Sequence, residues 1–187
     1  MLINTATREL HYKLVYYGPS AGGKTANLRF IQQRALPNAP HALRSWADDQ
    51  GRTVFFDYLV LPFGTLRGLQ TRIHLFATPG APMHAHTRER LLANADGVVF
   101  VADLRPGAQE ANEASWRELQ TLLAAQRCVD VPIVLQFNHC DAPDARDVQA
   151  LHAACDPALP FVVAKAAGGT GVLATLKTIS DRLLASL

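Results

Sequence analysis

Net charge is nearly absent: 18 Lys and Arg stand against 16 Asp and Glu in 187 residues, a formal +2. That balance excludes a chain whose main task is to coat a nucleic-acid backbone. Cysteine is scarce too. Cys128, Cys140 and Cys155 are odd in number and form no C-x-x-C pair, which excludes a disulfide framework and a thiolate zinc site. No apolar run approaches the roughly eighteen residues of a membrane helix. The start, Met1-Leu2-Ile3-Asn4-Thr5, has no basic region followed by an apolar core. Leu2 stands where myristoylation needs glycine, and Leu184-Ala185-Ser186-Leu187 offers no cysteine to prenylate. The expectation is a cytoplasmic chain with no lipid anchor, no transmembrane segment and no nucleic-acid partner.

Apolar residues are plentiful. At 49% hydrophobic and 18% charged, the chain can bury a core without disulfides or a structural metal, and its composition is not that of a disordered protein. At about 150 residues per domain, residues 1–187 are expected to form one domain.

Two periodicities alternate along the chain. Residues 11–17 are a short β-rich run ending at Gly18, and 23–36 carry Leu28, Ile31 and Ala35 at helical steps before Pro37. Residues 37–51 read as a loop. Residues 53–62 and 67–77 are extended runs joined by Phe63-Gly64-Thr65-Leu66, a hairpin signal and hence an antiparallel pair. Then follow a helix at 84–94, a buried-type strand at 97–103, a helix at 108–127 and a strand at 133–138. A helix at 144–154, a strand at 161–164 and a helix at 170–186 complete the series. Strands alternating with helices predict an α/β fold: three layers, α/β/α, around a mostly parallel sheet of six strands or slightly more, with one antiparallel edge strand.

Gly18-Pro19-Ser20-Ala21-Gly22-Gly23-Lys24-Thr25 matches G-x-x-x-x-G-K-[ST], directly after a predicted strand and opening a predicted helix. Four fixed positions match by chance in about one such chain in a hundred, so a phosphate loop is preferred to a Gly-rich turn that binds nothing. Glycines let the backbone wrap phosphate oxygens, and the helix start adds its positive dipole end. The candidate contacts are Gly18, Ser20, Ala21, Gly22, Gly23, Lys24, Thr25 and Ala26. Lys24 would bridge the β- and γ-phosphates, and the Thr25 hydroxyl would ligate Mg²⁺.

A second motif, Asn138-His139-Cys140-Asp141, follows the strand 133–138. Small GTPases carry Asn/Thr-Lys-x-Asp here, and the carboxylate accepts hydrogen bonds from guanine N1 and the 2-amino group. Adenine cannot present that pair and would leave a buried acceptor unpaired, so Asp141 favours GTP over ATP. The bland reading of Asn-x-x-Asp is a cap for the helix near residue 144.

With both motifs in place, the chain resembles the MglA-like bacterial Ras-like small GTPases of gliding motility and cell polarity, over essentially its full length. The resemblance rests on Lys13-Leu14-Val15-Tyr16-Tyr17-Gly18-Pro19, Gly23-Lys24-Thr25, Arg52-Thr53-Val54-Phe55-Phe56-Asp57, Thr71-Arg72-Ile73-His74-Leu75, Pro79-Gly80 and residues 96–103. It implies a small-GTPase fold of the P-loop NTPase class and a GTP/GDP switch with Mg²⁺. Thr53 would sense Mg²⁺ and the γ-phosphate, and Gly80 of the second switch would be a further nucleotide contact. Arg52 would be an internal arginine finger that neutralises charge on the transferred phosphoryl group, against the alternative of an exposed strand-edge arginine. Lys24, Arg52 and Thr53 are thus the catalytic candidates, and Thr25 and Thr53 the metal candidates. A roadblock-domain activating protein of the MglB type is the implied partner, with downstream effectors.

The chain departs from the small-GTPase pattern at three places. Asp-x-x-Gly-Gln of the second switch reads Ala77-Thr78-Pro79-Gly80-Ala81. The family also lacks the aspartate, carrying threonine; here Asp57 or Asp103 takes over its indirect hold on Mg²⁺, or each is simply structural. Ala81 cannot orient the attacking water as glutamine does, so very slow or partner-dependent hydrolysis is expected, with His84 and His86 just downstream. His139 replaces the lysine whose stem covers the base. Counting back from Gly171-Val172 places Lys165-Ala166 in the last guanine loop, with the Ala166 N–H at guanine O6 and Lys165 either in the site or merely on the surface. Two other readings remain: a nucleotide-holding pseudo-GTPase, and an ATP-dependent small-molecule kinase, for which no Arg-rich lid is present. Cys140 reads as a small buried thiol.

Overall fold

All seven residues of the strand Gly97–Asp103 are buried, as a central parallel strand covered on both faces requires. The computed structural model describes residues 1–39, 42–47, 53–126, 130–142, 144–145 and 147–185, and the backbone alone at 46, 47, 53 and 54. The strands are β1 (Leu2–Asn4), β2 (Glu9–Tyr17), β3 (Arg44–Ala47), β4 (Thr53–Leu66), β5 (Leu69–Ala77), β6 (Gly97–Asp103), β7 (Ile133–Asn138) and β8 (Phe161–Val163). The helices are α1 (Lys24–Ala35), α2 (Ala85–Leu92), α3 (Gln109–Ala125), α4 (Val148–Cys155) and α5 (Val172–Ala185), with 3₁₀ turns at Pro82–His84 and Ala166–Gly168.

The strands form one sheet in the order β3-β4-β5-β2-β6-β7-β8, with β1 beside β2. The pairs β2–β5, β2–β6, β6–β7 and β7–β8 are parallel. One face packs Leu14, Leu75, Val99 and Val134 against Leu28 and Ile31 of α1 and Ile179 and Leu183 of α5. The other packs Val15, Phe100 and Leu135 against Leu92 of α2, Trp116 and Leu119 of α3 and Leu151 of α4. This is the three-layer, mostly parallel α/β architecture expected.

The details differ where local signals mislead. β1 and β3 were not expected; β3 lies outside β4, antiparallel to it, so β4 is not the outermost strand. The hairpin turns at Arg67-Gly68, not at residues 63–66. Both residues have positive φ (49° and 79°), as a two-residue turn matching strand twist demands. Gly64 (φ 85°) sits instead where the register shifts between Pro62 and Thr65, a bulge inside the continuing strand. Helix α4 starts at Val148, four residues after the expected 144. Asp144 is left-handed (φ 56°), and Asp147 caps the helix by accepting from the Gln149 N–H at 2.8 Å.

The parallel strands bring their C-terminal ends to one edge of the sheet. The loops after Tyr17, Ala77, Asp103, Asn138 and Val163 gather there, on both sides of β2, where α/β sheets hold ligands.

Candidate nucleotide-binding site

The phosphate loop is shaped by close backbone approaches. Gly18 has φ 144°, and a Cβ there would lie 2.2 Å from the Val101 carbonyl oxygen. Gly23, left-handed at φ 103°, would drive a Cβ to 2.0 Å from Asn138 Nδ2. Gly80 has no unusual φ, yet its Cβ would meet the Ser20 backbone at 2.4 Å. The second-switch residue therefore lies directly on the phosphate loop. Ser20 and Ala21 are at the exposed rim, whereas Gly22 is buried and Ala26 packs onto the α1 side of the core.

Lys24 opens α1 and is 6% exposed. Its Nζ donates to the Gly18 and Pro19 carbonyls at 2.9 and 2.6 Å. Burial, with the Arg88 guanidinium nearby, pulls its ammonium down to about 7 despite the Asp57 carboxylate. A polyphosphate in the loop would reverse that balance by favouring the charged amine.

Next to it, the Thr25 hydroxyl donates to Asp57 Oδ2 at 2.5 Å, and the Ser45 hydroxyl donates to Asp57 Oδ1. Asp57 is fully buried on β4, directly opposite Ala77 in the antiparallel register. A carboxylate absent from one strand is thus present at the facing position of its neighbour. A hydroxyl backed by a carboxylate suits a hard divalent cation that takes most of its oxygens from phosphates and water. Among the described residues, no cluster of three His, Cys, Asp or Glu is placed to hold a metal with protein ligands alone. Asp103, the other candidate, is engaged elsewhere, by Arg105 and His139. Arg52 lies outside the described residues, and Thr53 is described only as the first residue of β4.

The second switch is clamped by a residue that motif reading missed. Arg88 of α2, 4% exposed, donates to the carbonyls of Pro79 (3.3 Å), Ala81 (2.6 Å) and Pro82 (3.4 Å). Glu118 of α3 holds its other side at 2.7 Å, and Tyr17, just before the phosphate loop, donates to the same carboxylate at 2.7 Å. Only burial of an arginine in an otherwise amphipathic helix marks it, and that is invisible without the fold. His86 faces solvent beside Glu89, at 3.5 Å, while His84 is half-buried in the 3₁₀ turn.

At the base end, Asn138 is buried and bridges two loops. Its Nδ2 donates to the Gly22 carbonyl and its Oδ1 accepts from the Ala166 N–H, both at 2.8 Å. The Ala166 N–H, expected at guanine O6, is therefore given to Asn138, because the buried Asn138 Oδ1 needs a donor in a dry position. Asp141 is half-exposed and pairs with Lys165 Nζ at 2.8 Å. That hydrogen bond from Lys165 holds the Asp141 carboxyl below its ordinary range. Cys140, expected buried, is half-buried and free.

Behind these loops, Asn27 of α1 and Gln136 of β7 exchange amide hydrogen bonds at 2.7 and 2.9 Å, and Gln136 also donates to Thr175 of α5 at 2.8 Å. The phosphate-loop helix is thereby keyed to the guanine-loop strand. Neither motif pointed to this pair.

A strand-loop-helix phosphate cradle beside an Asn-x-x-Asp loop, on a mostly parallel sheet, defines a Ras-like small GTPase. No protein-family model matches the chain. It is 38% identical to the mutual gliding-motility protein MglA of Myxococcus xanthus (strain DK1622) over 188 positions, 99% of this chain and 96% of that protein. The chain belongs to the MglA family of small GTPases, and guanine nucleotide is the ligand that membership implies. Among the described residues, no helix is long and apolar enough to cross a membrane.

Proposed function

We propose that this chain is a cytoplasmic GTP/GDP switch with Mg²⁺ in its site, serving cell polarity or motility and turned off by a roadblock-domain partner. The observation that carries the metal part is the buried Asp57 on the Thr25 hydroxyl, opposite Ala77. It supports a role for Asp57 behind the Mg²⁺ ligand Thr25, where the motif aspartate is missing. When bound, Mg²⁺ supplies charge neutralisation at the β- and γ-phosphates. The chain's own part is to position. Lys24 offers a cation inside the loop, Gly80 brings the second switch onto it, and Asp141 selects guanine.

Hydrolysis by the chain alone is slow in this reading. Ala81 brings a methyl group where a water-orienting amide is usual, and His86 is turned to Glu89. Arg52 is the cation proposed to act on the transferred phosphoryl group, with Thr53 closing on it. The same Ala81 favours a second reading, a pseudo-GTPase that holds nucleotide and recruits partners. Single-turnover GTP hydrolysis, alone and with a roadblock-domain protein, separates the two. The switch predicts phosphate release that the partner accelerates and that Arg52→Ala removes. Release that never exceeds the buffer control leaves the binding module.

A further inference from the structure

The site has lost the lysine at position 139, and the structure holds a cation next to that gap. His139 has a left-handed backbone (φ 62°), and its Nδ1 lies 2.9 Å from Asp103 Oδ1. Asp103 ends β6 and is 3% exposed. Its carboxylate accepts from the Arg105 backbone N–H at 3.0 Å, from Arg105 Nε at 3.0 and 3.1 Å, and from an Arg105 terminal nitrogen at 2.6 Å. That terminal nitrogen also donates to the Ala21 carbonyl of the phosphate loop at 3.1 Å. One guanidinium thus joins the strand end, the guanine loop through Asp103 and His139, and the phosphate loop.

The chemistry explains why the trio holds together. A carboxylate this buried is costly unless its lone pairs are filled. Burial alone would raise the Asp103 carboxyl; the hydrogen bonds from Arg105 and His139 outweigh it and hold the group below the usual carboxylate range. The ionised carboxylate in turn holds the guanidinium through Nε and one terminal nitrogen, and that same nitrogen reaches Ala21. The Arg105 side chain remains 45% exposed, which leaves part of it accessible to a ligand. A guanidinium is always charged, weakly hydrated and able to stack on a flat ring.

We propose that Arg105, anchored by Asp103 and His139, replaces the missing lysine: it latches the phosphate loop to the guanine loop and covers the bound nucleoside. It rests on the proposed guanine-nucleotide function, and deepens it by naming a binding residue outside both sequence motifs. Because the latch touches neither the γ-phosphate loop contacts of Lys24 nor the acceptor Asp141, it acts on retention of GDP and GTP alike.

The test is a mutant cycle on nucleotide dissociation, using the full chain and fluorescent GDP and GTP analogues. Arg105→Ala is expected to speed release of both nucleotides by about tenfold or more, the loss of one charge-assisted hydrogen bond. The nucleotide-free chain should melt lower, since the buried Asp103 carboxylate keeps only His139 as a side-chain partner, so release is compared well below the onset of melting. His139→Lys in the wild-type background changes one anchor of Asp103, and its release rate is the reference for the double variant. In the Arg105→Ala background it should recover most of the loss, because it restores a cation from the other loop. Release from Arg105→Ala within twofold of wild type, or an equal effect of His139→Lys in both backgrounds, overturns the inference. A wild-type chain that takes up no guanine nucleotide overturns the proposed function itself, and the inference falls with it.

Discussion

The two ends of the proposed nucleotide site are built by different means. At the phosphate end, shape is set by backbone: Gly18, Gly23 and Gly80 each stand where a Cβ would come within 2.4 Å of a neighbouring atom. At the base end, shape is set by side chains: Asn138 spans two loops, Lys165 meets Asp141, and Arg105 and His139 share Asp103. A backbone cradle tolerates little substitution, and G-x-x-x-x-G-K-[ST] is complete in this chain. A side-chain network can be rebuilt from other positions, and here the departures from the pattern concentrate at the base end and in the second switch.

The contrast can be broken or sharpened by substitution. The largest effect is expected at the phosphate end. Lys24→Ala removes the buried cation and should weaken GTP and GDP binding about a thousandfold, several charge-assisted contacts together, as read by calorimetry. Next is the base end. Asp141→Asn should cost about a hundredfold in guanine-nucleotide affinity, two hydrogen bonds to a charged acceptor, and erase the preference over adenine in competition binding. A variant that keeps that preference places the guanine reading elsewhere.

Asp57→Asn should be smaller and selective. The gain in nucleotide affinity on adding Mg²⁺, compared with chelator, should shrink about tenfold while metal-free binding is kept. An equal loss with and without Mg²⁺ would make Asp57 structural.

Stability against pH is a separate readout of the same phosphate end. The Lys24 ammonium titrates near 7 in the folded chain against 10.5 in its ordinary state. Above 7 the unfolded chain binds the extra proton, so stability of the nucleotide-free protein should rise with pH from about 7 toward 10. Below 7 both states are protonated and this contribution is flat. Lys24→Met should remove the slope from a series of thermal melts.

These expectations also mark how far the sequence could be read. The phosphate loop and the strand-helix alternation were legible because each is a local pattern with a local cause: period, glycine placement, a strand running into a helix. β3 was not, since Arg44–Ala47 carries no alternation and pairs only because β4 is there. The Asp57–Thr25 contact needed the register that sets Asp57 opposite Ala77, a relation between strands that one strand cannot display. Arg88 and Arg105 look like ordinary surface charges in the chain. Only the fold buries the first among three carbonyls and aims the second at Ala21. The near-neutral sum of charges has a local counterpart: Arg88, Arg105 and Lys165 at this edge each meet a carboxylate, Glu118, Asp103 and Asp141.

The most direct test is to denature the purified chain and identify what it releases by anion-exchange chromatography. A guanine-nucleotide switch should release GDP or GTP in near-stoichiometric amount. Recovery of ADP or ATP instead would contradict the assignment of Asp141 and the account built on it.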